Sequence, residues 1–411
     1  MKRVVITGRG VVSPIGMSTV LFWDSLLEGK SGIGDITRFD ATKFDSKIAG
    51  EVSDFDPLTF LSTKDCRRTP RFVQFALKAS DEAIKESGLD LEKIDPYQVG
   101  VIIGSGIGSL ETVEKEYHTL MTRGPRKLSP FMIPMLITNE AAGHVAIRFG
   151  LKGINFCTVT ACASGAHAIG ESYRSIQQGK AKAMLCGGTE ACVTMLGVGG
   201  FCALKALSKR NDDPQHASRP FDADRDGFVI AEGAGMIVLE EYKHAKERGA
   251  HIYGELSGYG GTCDAYHITA PDPKGDAASR AIISALKEAS VGIDEKIYVN
   301  AHGTSTQLND RMETQAIKNV FGPHAKDIPI SSIKSMTGHT LGAAGAIEFI
   351  TCCLALKNKV IPPTTNYEKP DPECDLDYTP NQPKEANVRV AISNSLGFGG
   401  HNATLLIKEF K

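Results

Sequence analysis

The chain has 411 residues, 42% of them hydrophobic and 23% charged, enough apolar material for one large or two medium domains with a sizeable core. A formal net charge of -2 excludes a polyanion-binding surface as its main business, so no nucleic-acid partner is expected. The first apolar run breaks at Gly8-Arg9-Gly10, too early for a signal-peptide core; no stretch is expected to span a membrane, and ten cysteines without paired spacing suit a reducing cytoplasm.

In chain order, residues 3–7 read as a strand ended by Gly8-Arg9-Gly10. Residues 40–70, rich in Pro, Arg and Thr, read as an insertion and carry the basic cluster Lys64, Arg67 and Arg68. A second strand, 99–103, runs into Gly104-Ser105-Gly106, and a second insertion, 105–140, carries Arg126 and Lys127. Apolar residues at 166, 169, 173 and 176 predict a helix that stops at Gly179, and 228–238 reads as a strand pair broken by glycines. The same order then recurs. Residues 252–257 lead into Gly258-Tyr259-Gly260-Gly261, 296–300 into His302-Gly303-Thr304, a helix is expected over 345–356, and 390–400 closes the chain as 228–238 closes its first part. The echo predicts a duplicated α/β fold with halves 1–250 and 251–411, each supplying one wall of a shared site.

The chemistry points to Cys162, in Thr158-Val159-Thr160-Ala161-Cys162-Ala163-Ser164-Gly165. Small neighbours permit a sharp strand-to-helix turn and close approach of a substrate, much as in a hydrolase nucleophile elbow. A sulfur at the first turn of the following helix sits at the positive end of the helix dipole, which is expected to favour the thiolate. Taken alone, the residue reads more readily as a buried core cysteine.

The segments 158–165, 300–306, 334–345 and 394–402, with Ser218-Arg219-Pro220-Phe221-Asp222 and Asp264-Ala265-Tyr266-His267, resemble the β-ketoacyl-acyl-carrier-protein synthases, condensing enzymes of fatty acid synthesis with the thiolase fold. The similarity runs along essentially the whole chain. It implies a layered α-β-α-β-α body in which Cys162 accepts an acyl group from a thioester, and malonyl thioester loses CO2 to give an enolate that attacks the acyl-enzyme. His302 and His339, held neutral, are implied to donate N–H groups to the enolate oxygen. Lys334 supplies a fixed positive charge, with Glu313 as its implied anion partner. The backbone N–H groups of Cys162 and Phe398 form the implied oxyanion hole, while Ile107, Phe201 and Phe398 line the acyl pocket.

Thr304 and Thr306 carry hydroxyls suited to the amides of a pantetheine arm. Asn300, Glu313, Glu348, Ser393 and Asn394 match positions around a structural monovalent cation; no other cofactor is implied. An acidic acyl carrier protein would dock on Lys64, Arg67, Arg68, Arg126, Lys127 and Lys205, and a homodimer is implied. Gln307, Asn309, Thr340 and Leu396 depart from the common pattern of Pro, Gly, Leu and Phe. They bear on the turn beside His302 and on acyl length.

Three other readings stand against this one. A dinucleotide site fails on spacing, since position 13 is Ser and Gly104-Ser105-Gly106-Ile107-Gly108 lacks the required interval. A coenzyme A thiolase would carry a second cysteine in the glycine-rich run 396–400, which has none. A non-catalytic chain-length partner would have lost the Cys and His residues, whereas a polyketide-type ketosynthase shares them.

Overall fold

The computed structural model describes residues 1–410; Lys411, the end of the expected second half, lies outside them. The elements that build the site are, in order, β1 (Val4–Val12), α1 (Arg71–Ser87), β2 (Val99–Gly104), α2 (Leu110–Arg123), β3 (Asn155–Thr158), α3 (Ser164–Gln177), β4 (Ala183–Glu190), α4 (Met195–Ala203) and β5 (Gly233–Glu241). There follow β6 (Gly254–Cys263), α5 (Asp276–Ala289), β7 (Ile297–Asn300), α6 (Gln307–Phe321), β8 (Ile330–Ser331), α7 (Ala344–Asn358), β9 (Val390–Gly397) and β10 (His401–Lys408).

The ten strands run β8-β7-β9-β10-β6-β1-β5-β4-β2-β3. Outward from the centre this is 1-5-4-2-3 on one side and 6-10-9-7-8 on the other, the same order shifted by five. Strand directions repeat as well: the two inner pairings of each half are antiparallel and the two outer ones parallel. The halves join where β1 pairs antiparallel with β6, Val4 to Leu256 through Ile6 to Gly254.

Helix α1 packs outside β1, β4 and β5, and α5 outside β6 and β10. Helices α3 and α7 contact each other and strands of both halves, so they form the middle layer, and one apolar cluster of both halves surrounds them. Burial of α7 is nearly complete. With the turn before it, Leu341–Asn358 is long and apolar enough by length and composition to cross a membrane, against the expectation that no stretch would be, yet it is the core helix of this fold.

Two sequence expectations need correction. Residues 3–7 and 252–257 were expected to end at their glycines, but β1 and β6 continue through them. The glycines serve helix packing. A Cβ on Gly8 or Gly10 would lie 2.1 or 2.0 Å from the α1 carbonyl oxygens of Ala83 and Ala79, and one on Gly258 or Gly260 would lie 2.2 or 2.0 Å from those of Ala285 and Ala281 in α5. The second correction concerns 228–238, expected to match 390–400. Only Gly233–Glu241 is strand, residues 228, 230 and 231 forming isolated bridges, and the partner that matches β9 in the strand order is β4.

Candidate active site

Cys162 lies in a 3-10 turn, Ala161–Ala163, that feeds α3. The turn is possible because Ala161 takes a left-handed backbone, φ 50°, unusual for a residue with a Cβ. Its counterpart is Leu341–Ala343 before α7, where Leu341 has φ 49°. The two turns therefore share one backbone shape. They approach closely: a Cβ on Gly165 would meet the Gly342 oxygen at 2.8 Å, and one on Gly345 would meet Ala166 Cβ at 2.9 Å. Glycine and alanine at these positions let the two helix starts meet, which brings His339 to Cys162 across 177 residues of chain.

Cys162 Sγ and His339 Nε2 are 3.0 Å apart, and the rings of His302 and His339 meet edge-on with centroids 5.3 Å apart. Both imidazoles are buried, and their hydrogen bonds fix which nitrogen carries the proton. His339 Nδ1 accepts from the Leu341 N–H at 3.3 Å, and His302 Nδ1 faces Lys334 Nζ at 3.3 Å. Neutral rings held this way carry their protons on Nε2. Burial first, then the charge of Lys334, holds both well below the ordinary histidine range.

The same tautomers count against a metal centre. Cys162, His302 and His339 have donor atoms all within 4.8 Å of one another, the spacing of a soft-metal site. A metal on either Nε2 would drive the proton onto Nδ1, against the Leu341 N–H in one ring and the Lys334 ammonium in the other.

Lys334 Nζ is buried, donates to the His302 carbonyl at 2.6 Å and forms its ion pair with Glu348, not with the expected Glu313. Glu313 is spoken for by the backbone: it accepts from the His302 and Gly303 N–H groups at 2.8 Å each, so it shapes the turn. Burial pushes both carboxylates up to about 7, partly offset by backbone N–H donors for Glu313 and by Lys334 for Glu348. The surroundings of the sulfur also work against the expected thiolate. Burial pushes the Cys162 thiol up to about 12, with Lys334 pulling it down and Glu190 and Glu348 pushing it further up. Removing the sulfur from water outweighs the helix end here.

A cavity of about 500 Å³ reaches this centre, lined by Cys162, His302 and His339 together with the expected Ile107, Phe201, Phe398, Thr304 and Thr306. The Thr304 and Thr306 hydroxyls are 3.0 Å apart. Phe398 follows Gly397, whose Cα faces the nucleophile turn; a Cβ there would lie 3.2 Å from Cys162 N. Neither Cys162 N–H nor Phe398 N–H donates to a protein acceptor among the described residues. The departures Gln307, Asn309 and Leu396 line the cavity too. Gln307 donates through its side-chain amide to the Arg225 carbonyl at 2.6 Å.

Of the basic residues, Lys205 stands at the cavity; Lys64, Arg67, Arg68, Arg126 and Lys127 are exposed and line none of it. The Arg68 guanidinium sits 4.3 Å from the Phe131 ring centroid, which brings the first basic segment beside the second. Among the five residues matched to a cation site, Asn300 Oδ1, Glu348 Oε2 and Ser393 Oγ are buried without a partner, while Asn394 bonds Glu313 and Thr404. Sequence reasoning missed Asp264, Met312, Leu341 and Asn402 as cavity residues, because their positions depend on how distant loops meet.

Residues 1–245 match the family described as beta-ketoacyl synthase, N-terminal domain, and 253–368 its C-terminal domain. The 3-oxoacyl-[acyl-carrier-protein] synthase 2 of Synechocystis sp. is 53% identical over 410 residues, covering 100% of this chain and 99% of that protein. A solved beta-ketoacyl synthase from Burkholderia phymatum superposes with a TM-score of 0.94 at 36% identity, each chain covered in full. The AntDE:AntF complex, a type II polyketide acyl-carrier protein with its ketosynthase bound to the hexaketide, gives 0.93 at 38%, again with full coverage. Matches along both halves, with a cysteine and two Nε2-protonated histidines meeting in one cavity, make this chain a member of the β-ketoacyl synthase family.

Proposed function

We propose that the protein is a 3-oxoacyl-acyl-carrier-protein synthase of fatty acid elongation, joining a Cys162-bound acyl chain to malonyl carrier with loss of CO2. The observation that carries this is the pair of Nε2–H donors converging beside the sulfur, a donor set for an enolate oxygen and a poor one for a proton acceptor. In the first half-reaction Cys162 Sγ attacks the acyl thioester carbon, the departing carrier thiol takes the proton that the cysteine gives up, and the Cys162 and Phe398 N–H groups hold the oxyanion. The proton balance of this step closes, since one thiol replaces another.

In the second half-reaction malonyl thioester binds with its carbonyl oxygen against His302 and His339. The C–CO2 bond breaks, CO2 leaves, and the enolate carbon attacks the acyl-enzyme carbonyl, expelling the Cys162 thiolate. That sulfur is met by His339 Nε2–H at 3.0 Å and regains a proton from water. Lys334, beside His302, keeps the imidazoles from taking a proton and so preserves them as donors. Ile107, Phe201 and Phe398 receive the acyl chain, and Thr304 and Thr306 the amides of the pantetheine arm.

The reaction needs no coenzyme beyond its substrates. Three unpartnered buried oxygens, on Asn300, Glu348 and Ser393, fit a hard monovalent cation, which would add fixed positive charge beside Glu348. The carrier docks on Lys205 at the cavity and on the joined segments of Lys64, Arg67, Arg68, Arg126 and Lys127, an attraction that weakens with salt. A homodimer is favoured by β3, the sheet edge, whose neighbourhood exposes Ile154, Phe156 and Val159 at 41, 36 and 53%. Ten unbridged cysteines favour the cytoplasm.

The test uses Cys162→Gln, which mimics the acyl-enzyme. It is expected to release CO2 from malonyl carrier, and His302→Ala or His339→Ala in that background to slow release about 100-fold, within the range for loss of an oxyanion donor. Unchanged release in both double variants would remove their enolate role.

A further inference from the structure

We propose that Glu190 is a positioning residue: its carboxylate locks the loop carrying Ile107 to the turn carrying His339, and so sets the acyl pocket against the enolate-binding imidazole. This rests on the reading of Cys162 as the acyl acceptor. Glu190 ends β4, is fully buried and has no cationic partner among the described residues. Instead it accepts four hydrogen bonds: from Ser105 Oγ at 3.0 Å, Gly106 N at 2.7 Å, Ile107 N at 3.3 Å and Gly342 N at 3.1 Å. Three come from the loop after β2 and the fourth from the turn three residues past His339, so one side chain ties together loops from both halves.

Backbone crowding makes the tie specific. A Cβ on Gly106 would lie 2.9 Å from Glu190 Oε2, and one on Gly342 would lie 2.6 Å from that oxygen and 2.5 Å from Gly106 N. A side chain at position 106 or 342 would therefore push the carboxylate from its place. Gly106, Ile107, Leu341 and His339 all line the cavity, whereas Glu190 stands behind them and touches no cavity surface. Its charge also reaches the nucleophile, holding the Cys162 thiol up in the same direction as burial does. Replacing a buried carboxylate by its amide is costly here, because the NH2 that takes the place of one oxygen cannot accept from the two donors that face it.

The experiment compares wild type with Glu190→Gln and Glu190→Asp on three readouts: the rate of Cys162 alkylation by iodoacetamide at one fixed pH near 8, acyl transfer from short and long acyl-carrier thioesters, and thermal melting. Glu190→Gln is expected to speed alkylation, since a negative charge is lost. It should also slow transfer of long chains by about 10- to 100-fold, the scale of a small misplacement, with less effect on short ones. Glu190→Asp keeps the charge but retracts it by one methylene; it should hold the wild-type alkylation rate and show the chain-length effect. Should Glu190→Gln fail to fold, the aspartate variant carries the chain-length readout alone. A lower melting temperature with an unchanged alkylation rate, or transfer rates that fall equally for all chain lengths, would overturn the positioning role. Wild-type protein that takes no acyl group on Cys162 would overturn the reading beneath it as well.

Discussion

At the residue scale, the site depends on two histidines staying neutral with their protons on Nε2. Two neighbours impose this: the Leu341 N–H on His339 and the Lys334 ammonium on His302. Both rings titrate well below the usual histidine range, so CO2 release by Cys162→Gln should hold its rate as pH falls through about 6.5. Replacing Lys334 by Met removes a charge that lowers both rings and leaves the Glu348 carboxylate beside them. Protonation then becomes easier, and the acid limb of CO2 release should climb towards neutral pH; an unmoved limb would contradict this role for Lys334. Cys162, His302 and His339 were legible from sequence because their turns resemble those of a known family; the strained backbone and close contacts that bring the turns together were not. Nor was the carboxylate that Lys334 would choose. Glu313 and Glu348 are both buried close by, and only the fold reveals that two backbone N–H groups claim the first.

At the element scale, the same lesson recurs in the glycines of β1 and β6. They read as strand ends, because a glycine that ends a strand and one that lets a helix press on it look alike in sequence. The distinction has a measurable consequence. Gly8→Ala and Gly258→Ala place a methyl about 2 Å from a helix carbonyl, so each should destabilise by about 1–3 kcal/mol or more in chemical denaturation. Gly200→Ala, within α4 with nothing within 4 Å of its Cβ, should instead be neutral or stabilising by up to about 1 kcal/mol. Equal losses in all three would mean that close approach is not what these glycines provide. The helix after Cys162 was legible from its apolar spacing, whereas the one after His339 was legible only as its counterpart in the repeated order, since α7 is buried on every side and carries no such spacing. The match of 228–238 with 390–400 failed because glycine spacing imitates a strand pair that is in fact split between β4 and β5.

At the scale of the whole molecule, one strand order used twice explains why distant residues share a cavity: related turns before α3 and α7 meet at the centre of the body. The order itself was only partly legible, since sequence echoes mark equivalent loops but not which strands pair. The far edge, β3, stays open to solvent in the single chain. Light scattering is expected to give a dimer, and Phe156→Asp to shift it to monomer by placing charge on that edge; a wild-type monomer would contradict the assembly. Whether Cys162 carries the acyl group is read from intact mass after mixing with acyl carrier thioesters. Wild type is expected to gain one acyl adduct per chain and Cys162→Ala none; an equal adduct on Cys162→Ala, or none on active wild type, would rule Cys162 out as the acyl acceptor.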